Sequence, residues 1–506
     1  MKRALFLLVA VSLLALHCYA QTYRERWRPQ YHFTPAKNFM NDPNGLVYYK
    51  GEYHLFYQHN PQGTRWGHMS WGHAVSQDML RWKHLPLAIP ERPEYMIYSG
   101  SAVIDWNNSS GLCKEKRGDR SCMIAIFTAA SGDTWQRQHL AYSNDRGRTW
   151  TEYESNPVAD LKLPNFRDPK VFWYDPQKNW VMVAVVAEDR KVVVLDSKDL
   201  KKFVVRSEFT VRNEPKRQWE CPDLFELPVE GSNERKWVMI VNINPGAPAG
   251  GTGTKYYIGD FDGERFKASS GVDSTLWADF GKDFYATQTF AEMPKGDTRR
   301  VWLGWISNWQ YANDEPTTPW KGMQSIPREL KLRRYADGLR LVQIPVRELA
   351  SLESEIVSAS GTLSAINSKL RSAKVSRSAR ITGTLRPGAA TQIGLRLLKS
   401  GGEETIVGFD APEKTVYVDR TLSGEKGFSK DFAGVHSAPV ENAKEVKLDI
   451  FIDQTSLEIF VNDGERVLSE RVFPLQQEDF KLELFATGGK AGDQSVRITR
   501  MKSVWE

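Results

Sequence analysis

A chain of 506 residues is too long for one compact core, so two domains are expected. With 41% hydrophobic and 26% charged residues, its composition is that of a soluble globular protein. The formal charge of +6 comes from interspersed residues of both signs, without a basic tail or arginine-rich tract, so nucleic acid is not an expected partner.

The N-terminus reads as an export signal. Lys2 and Arg3 precede an apolar run from Ala4 to Leu16, and Cys18-Tyr19-Ala20 supplies a small-residue cleavage site. Residues 1–20 are therefore expected to be removed, leaving Gln21 first and lowering the formal charge from +6 to +4. The run is too short for a membrane span and no later segment reaches spanning length, so no integral span is expected. The expected location is periplasmic or extracellular. A lipid anchor on Cys18 is the alternative, against which stands His17 just before it. Cys113 and Cys122 flank the polar loop Lys114 to Ser121, and a disulfide there suits an exported protein. Cys221 is left unpaired and reads as a small buried packing residue.

Helical periodicity is scarce. Short apolar or alternating strands, such as Tyr53–Tyr57, Val181–Val186, Lys191–Leu195, Trp237–Val241 and Val301–Trp305, are broken by Gly, Pro, Asn and Asp. A weak repeat recurs. Ser76-Gln77-Asp78 precedes Trp82, Ser143-Asn144-Asp145 precedes Trp150, Ser197-Lys198-Asp199 precedes Phe203, and Gly259-Asp260-Phe261-Asp262 precedes Phe266. The interval of roughly 50 to 70 residues suits a four-stranded propeller blade. Four such units plus the strands around Val301 to Leu341 predict an all-β, five-bladed β-propeller over residues 21–345; ordinary hairpins in a sandwich are the alternative. Residues 346–360 read as a linker with a short helix. Beyond it the alternation is cleaner, with strands at Leu448–Ile452 and Leu457–Val461 and a hairpin turn at Asn462-Asp463-Gly464. Residues 361–506 therefore predict a C-terminal β-sandwich.

Three acidic motifs stand in the first domain: Asn41-Asp42-Pro43-Asn44-Gly45, Arg167-Asp168-Pro169 and Trp219-Glu220-Cys221-Pro222-Asp223. Each reads as a carboxylate at a turn. Arg167 is expected to keep Asp168 ionised, and an apolar neighbourhood to raise the Glu220 pKa. Cleavage of a glycosidic bond needs two carboxylates facing each other across a sugar, often with a third group gripping the ring. Exposed members of the 17 Trp and 18 Tyr would suit sugar faces. Six of nine His fall between His32 and His84, without metal-ligand spacing, so no metal is expected. No Walker loop, dinucleotide fingerprint or nucleophile elbow appears, and no cofactor is expected.

The ordered set of motifs resembles glycoside hydrolase family 32, the invertases, inulinases and levanases. The resemblance runs from Phe39–Gly45 through Phe56–Pro61, Trp66-Gly67, Tyr98–Ser101, Arg167–Pro169, Trp219–Asp223 and Asn308–Tyr311 to Ser325–Leu330. It implies the propeller-plus-sandwich fold and a retaining mechanism. Asp42 resembles the nucleophile, Glu220 the acid/base and Asp168 the transition-state stabiliser. Asn41, Gln58, Trp66, Ser99, Arg167 and Trp309 match positions lining a fructose pocket. Phe39 and Tyr98 stand where the family usually has Trp and Phe, which implies altered pocket detail. The segment Asn308–Leu330 most resembles exo-acting levanases and inulinases. The implied activity is release of terminal β-fructosyl residues from levan, inulin or sucrose. Endo action, fructosyl transfer from sucrose, and fructan binding without cleavage remain as alternatives.

Overall fold

The computed structural model describes residues 23–505, apart from 133, 212–214, 270–275, 374, 442–443 and 477–478. The expected signal at 1–20, with Cys18, lies outside the described residues.

The described residues between 38 and 345 form five sheets, each from a consecutive stretch of chain apart from one short strand that joins the first. Their first strands are Asn38–Tyr49, Met96–Asp105, Phe166–Tyr174, Gln218–Pro228 and Tyr285–Thr289. Each first strand contacts the next, and the fifth contacts the first, so the five make a closed ring. Trp320–Lys321 leaves the fifth sheet's sequence and pairs in parallel with Asn38–Phe39, tying the last sheet to the first. Gly322, at φ +84°, ends this stitch. A Cβ there would lie 1.9 Å from the Met40 carbonyl oxygen, so the close approach requires glycine.

The apolar runs have a direct cause. In the strand Asn179–Val186, Trp180, Met182, Ala184 and Val186 enter one hydrophobic core, while Val181, Val183 and Val185 enter another. A strand packed on both faces needs apolar residues at every position, not alternate ones. The Asp-containing repeat also has a structural meaning. In the first four sheets it is the turn between the third and fourth strands. Asp78 accepts from the amides of Leu80 and Arg81, Asp199 from that of Lys201, and Asp262 from those of Glu264 and Arg265.

The expected linker helix is only half present. Arg347–Leu352 is a 3₁₀ helix, but Glu353–Gly361 is a strand that pairs with Gln494–Met501. The second module is a six-stranded sheet facing a five-stranded one over a shared aliphatic core. The turn at Asn462-Asp463-Gly464 joins Ser456–Val461 to Arg466–Arg471 as expected. Cys113 and Cys122 are bridged, and Cys221 is a free, buried thiol.

A buried ionic layer joins the two modules. Arg328 reaches Glu458 at 3.0 Å and Asp279 at 3.2 Å, Arg420 reaches Asp283 at 2.7 Å, and Arg471 reaches Glu315 at 3.0 Å. His32 lies between Asp453, at 2.9 Å, and Glu458, at 2.7 Å. Burial alone would lower its pKa, but the two carboxylates overcome that and raise it from 6.5 to about 9. The charged form is thus favoured in the folded state. Its contribution, on the order of 3 kcal/mol, is complete below about pH 6.5 and lost as pH rises through about 9. The melting temperature is therefore expected to fall across that window more in the native protein than in His32→Gln. Equal pH slopes in thermal melts would show that His32 is not charged in the fold.

Candidate active site

Each of the five ring strands carries a β-bulge near one end. The ladder register slips between Met40 and Pro43, Ile97 and Gly100, Glu220 and Asp223, and Tyr285 and Gln288; in the third sheet the slip lies between Val183 and Val185, opposite Lys170 and Arg167. The displaced residues include Asp42, Ser99, Asp168 and Cys221. A bulge inserts an extra residue, bends the strand and re-aims its side chains. This corrects the sequence-based expectation of carboxylates at turns. Asn38–Tyr49 runs through Asp42-Pro43 without reversing, as do the strands through Asp168-Pro169 and Cys221-Pro222. Proline lacks an amide donor and is tolerated inside a sheet at such irregularities. Asp168 has φ +61° and Cys221 φ +42°. Non-glycine residues in this region store on the order of 1–3 kcal/mol each, a recurring property of functional sites.

All nine candidate residues line one cavity of about 390 Å³. Asn41, Asp42 and Gln58 come from the first sheet and Trp66 from the loop between its second and third strands; Ser99 comes from the second sheet, Arg167 and Asp168 from the third, and Glu220 from the fourth. Trp309 comes from the loop after Arg300–Trp305. Its ring stacks near Phe39, centroids 6.2 Å apart, so Phe39 supports the wall from behind without lining the cavity. Trp66 meets the Tyr98 ring at 6.0 Å.

The carboxylates are held individually. Ser99 Oγ donates to Asp42 Oδ2 at 2.6 Å and Asn41 Nδ2 donates to Oδ1 at 2.7 Å. Burial nevertheless dominates and, with the nearby Glu220 charge, raises the Asp42 pKa from 3.8 to about 6. Asp168 is fixed through its backbone, whose amide donates to Thr128 Oγ1 at 2.9 Å, and its Oδ2 accepts from the Cys221 amide at 2.9 Å. Burial raises its pKa as well. Arg167, with Nε 3.8 Å away, pulls the other way without cancelling the burial, against the expectation that it keeps Asp168 ionised. Glu220 is not in the apolar setting read from Trp219. Its carboxylate accepts from Arg167 Nη2 at 3.0 Å and from the Tyr285 hydroxyl.

Two residues gain parts that sequence reasoning missed. Tyr285 had no motif around it, and it enters through its hydroxyl, which donates to Glu220 from the start of the fifth ring strand. Cys221 is buried as expected, but it is more than filler, since its Sγ lies 3.4 Å from Asp42 Oδ2 and 3.7 Å from Asp168 Oδ2. Gln136, Gln218, Asn244 and Asn313 also line the cavity. They are isolated polar residues that nothing in one sequence distinguishes from surface. Among the described residues, no group of His, Cys, Asp and Glu could hold a metal ion.

The chain is similar to known proteins along most of its length. The model for the glycosyl hydrolases family 32 N-terminal domain matches residues 32–345, and the family 32 C-terminal model matches 348–500. The chain is 44% identical to a levanase of Bacillus subtilis (strain 168), covering 99% of this chain and 74% of that protein. It is 37% identical to an extracellular exo-inulinase of Aspergillus awamori, covering 98% of each. The crystal structure of exo-inulinase from Aspergillus awamori superposes with a TM-score of 0.87 at 35% identity, over 96% of this chain and 100% of that one. That of beta-fructofuranosidase from Schwanniomyces occidentalis, complexed with fructosyl-erythritol, gives 0.84 at 32% identity, over 95% and 98%. With both domain models matching in order and three carboxylates meeting in one pocket of the N-terminal match, the chain belongs to glycosyl hydrolase family 32 and is a glycoside hydrolase.

Proposed function

We propose that the protein is an exported, retaining exo-β-fructosidase that releases terminal fructose from fructans and sucrose, built on a five-bladed propeller with a C-terminal sandwich. The observation that carries this is the convergence of Asp42, Asp168 and Glu220 in one small cavity beside Trp66 and Trp309. A pocket of about 390 Å³ suits one terminal sugar better than the middle of a polymer. The levanase and exo-inulinase relatives support the substrate class and the exported location. The closed ring of five first strands supports the blade count.

In this reading, the Asp42 carboxylate attacks the anomeric carbon of the terminal fructose. The bond to the leaving oxygen breaks as Glu220 delivers its proton to that oxygen. Water then gives a proton to Glu220 while its oxygen attacks the same carbon, and Asp42 leaves as a carboxylate. Asp168 accepts hydrogen bonds from ring hydroxyls, and these strengthen as positive charge develops. Arg167, placed between Asp168 and Glu220, holds both. The retaining course requires the Asp42 and Glu220 carboxyls about 5–5.5 Å apart. Cys221, the neighbour of Glu220, touches both aspartates, which supports a site this compact.

A timed digest of levan, inulin and sucrose, with products resolved by chromatography, tests the exo reading. Fructose alone at the earliest times is expected; a ladder of oligosaccharides would mean endo action. The pH profile provides a second check. Asp42 attacks only when ionised, so kcat/KM for sucrose is expected to fall as pH drops through about 6. Ser99 donates to the ionised form, so Ser99→Ala should move this acid limb to higher pH. A limb unmoved by Ser99→Ala would detach it from Asp42.

A further inference from the structure

A second cavity, of about 600 Å³, opens at the other end of the same ring strands. The strand bearing Asp168 supplies Phe172 and Trp173 to it, and the strand bearing Glu220 supplies Glu226. Tyr174 lies six positions along the extended strand from Asp168, or about 20 Å, so the two cavities lie on opposite faces of the ring. On the side of the second cavity nearest the carboxylates, Lys170 and Asp223 line it as a buried ion pair at 3.1 Å, and Lys170 Nζ also donates to the Thr289 carbonyl.

The distribution of tryptophan singles this cavity out. Among the described residues, which include all 17 Trp, only Trp66, Trp106 and Trp173 are exposed indoles, at 40%, 51% and 37%. Trp66 walls the carboxylate pocket, and the other two line the second cavity. Both are anchored. Trp106 Nε1 donates to Glu292 Oε1 at 3.2 Å, and its ring meets Tyr49 edge-on at 5.8 Å. Trp173 packs edge-on against Trp180 at 5.1 Å, and its Nε1 donates to Asp175 Oδ1 at 3.4 Å. Arg235 and Glu226, paired at 2.6 Å, add charged hydrogen-bonding groups to the lining. A sugar offers an apolar ring face for stacking and hydroxyls around its edge. Anchored exposed indoles beside planar carboxylate and guanidinium groups match both, with little ordering left to occur on binding.

We propose that this cavity is a second, non-catalytic saccharide site that holds a segment of polymeric fructan while the carboxylate pocket works on chain ends. The identity of the ligand rests on the fructan reading above. Engaging two points on a polymer raises the effective concentration of chain ends at the carboxylates. Sucrose is too short to reach both faces and gains nothing.

The test uses electrophoresis of the full chain through gels containing levan or inulin, with Asp42→Asn to prevent digestion. Retardation by at least one polymer is expected, together with its loss when Trp106→Ala and Trp173→Ala are added. In the native background, the same pair of changes should raise KM for the polymer about tenfold while leaving sucrose turnover unchanged. Unchanged sucrose turnover also certifies folding; should the double variant fail it, single Trp106→Gln and Trp173→Gln variants take its place. No retardation, or retardation and polymer KM indifferent to both tryptophans, would overturn the proposal. If native protein releases no fructose but Trp-dependent retardation persists, the second site stands and the active-site reading falls.

Discussion

Asp42→Asn is expected to lower kcat on sucrose and on fructan by roughly 10⁴-fold or more, with the fold intact. The amide is nearly isosteric with the carboxylate, and Ser99 Oγ can still donate to its oxygen across the 2.6 Å contact. The nucleophilic charge is lost, however, and no neighbour replaces it. Asp168 carries a carboxylate in the same cavity, but its backbone is pinned by Thr128 and its Oδ2 by the Cys221 amide, so it does not swing into the vacated role. The change also removes a buried carboxylate that burial had already pushed toward protonation, so the melting temperature should stay level or rise. A variant within tenfold of native turnover would remove Asp42 from the nucleophile's position.

Glu220→Gln is expected to be nearly as damaging on sucrose and fructans, on the order of 10²–10⁴-fold, but much milder in the first chemical step with a fluoride leaving group. The glutamine cannot deliver a proton to a poor leaving oxygen. Fluoride needs less help, so fructosyl transfer to Asp42 can still proceed, and the block moves to the second step, where water lacks its base. Added azide, a nucleophile that needs no base, should then restore turnover of the fluoride. Equal losses on both substrates, without azide rescue, would assign Glu220 to binding instead of proton transfer.

How much of this was legible in the sequence differs by level. The all-β class and the strands around Val181–Val186 and Trp237–Val241 were readable because strands buried on both faces leave long apolar runs. The Asp-containing turns were readable because the Asp side chain must satisfy backbone amides on its own hairpin. The bulges were not. Asp-Pro-Asn-Gly carries the same local signal for a turn as for an irregular strand, and only pairing with Tyr57 and Phe56 across the sheet decides between them. Residues 353–360 read as linker in the sequence because pairing with a strand more than 130 positions later leaves no local mark. The candidate site fared similarly. Residues inside dense motifs were found, whereas Tyr285 and Asn244 lie in plain sequence and reach the cavity or its carboxylates only through the ring. The environment of Glu220 was misread for the same reason. Trp219 is its neighbour in sequence, but Arg167 and Tyr285, which hold its carboxylate, come from other sheets.

The most direct test of the central claim is to trap the intermediate. Glu220→Gln incubated with β-fructosyl fluoride should accumulate protein heavier by one fructosyl group, because attack proceeds and release does not. Peptide mapping by mass spectrometry is predicted to place that group on the peptide spanning Phe39–Gly45, as an ester of Asp42. A fructosyl group on Asp168 or any other residue, or fluoride turnover by native enzyme that gives an inverted product without an adduct, would contradict the account.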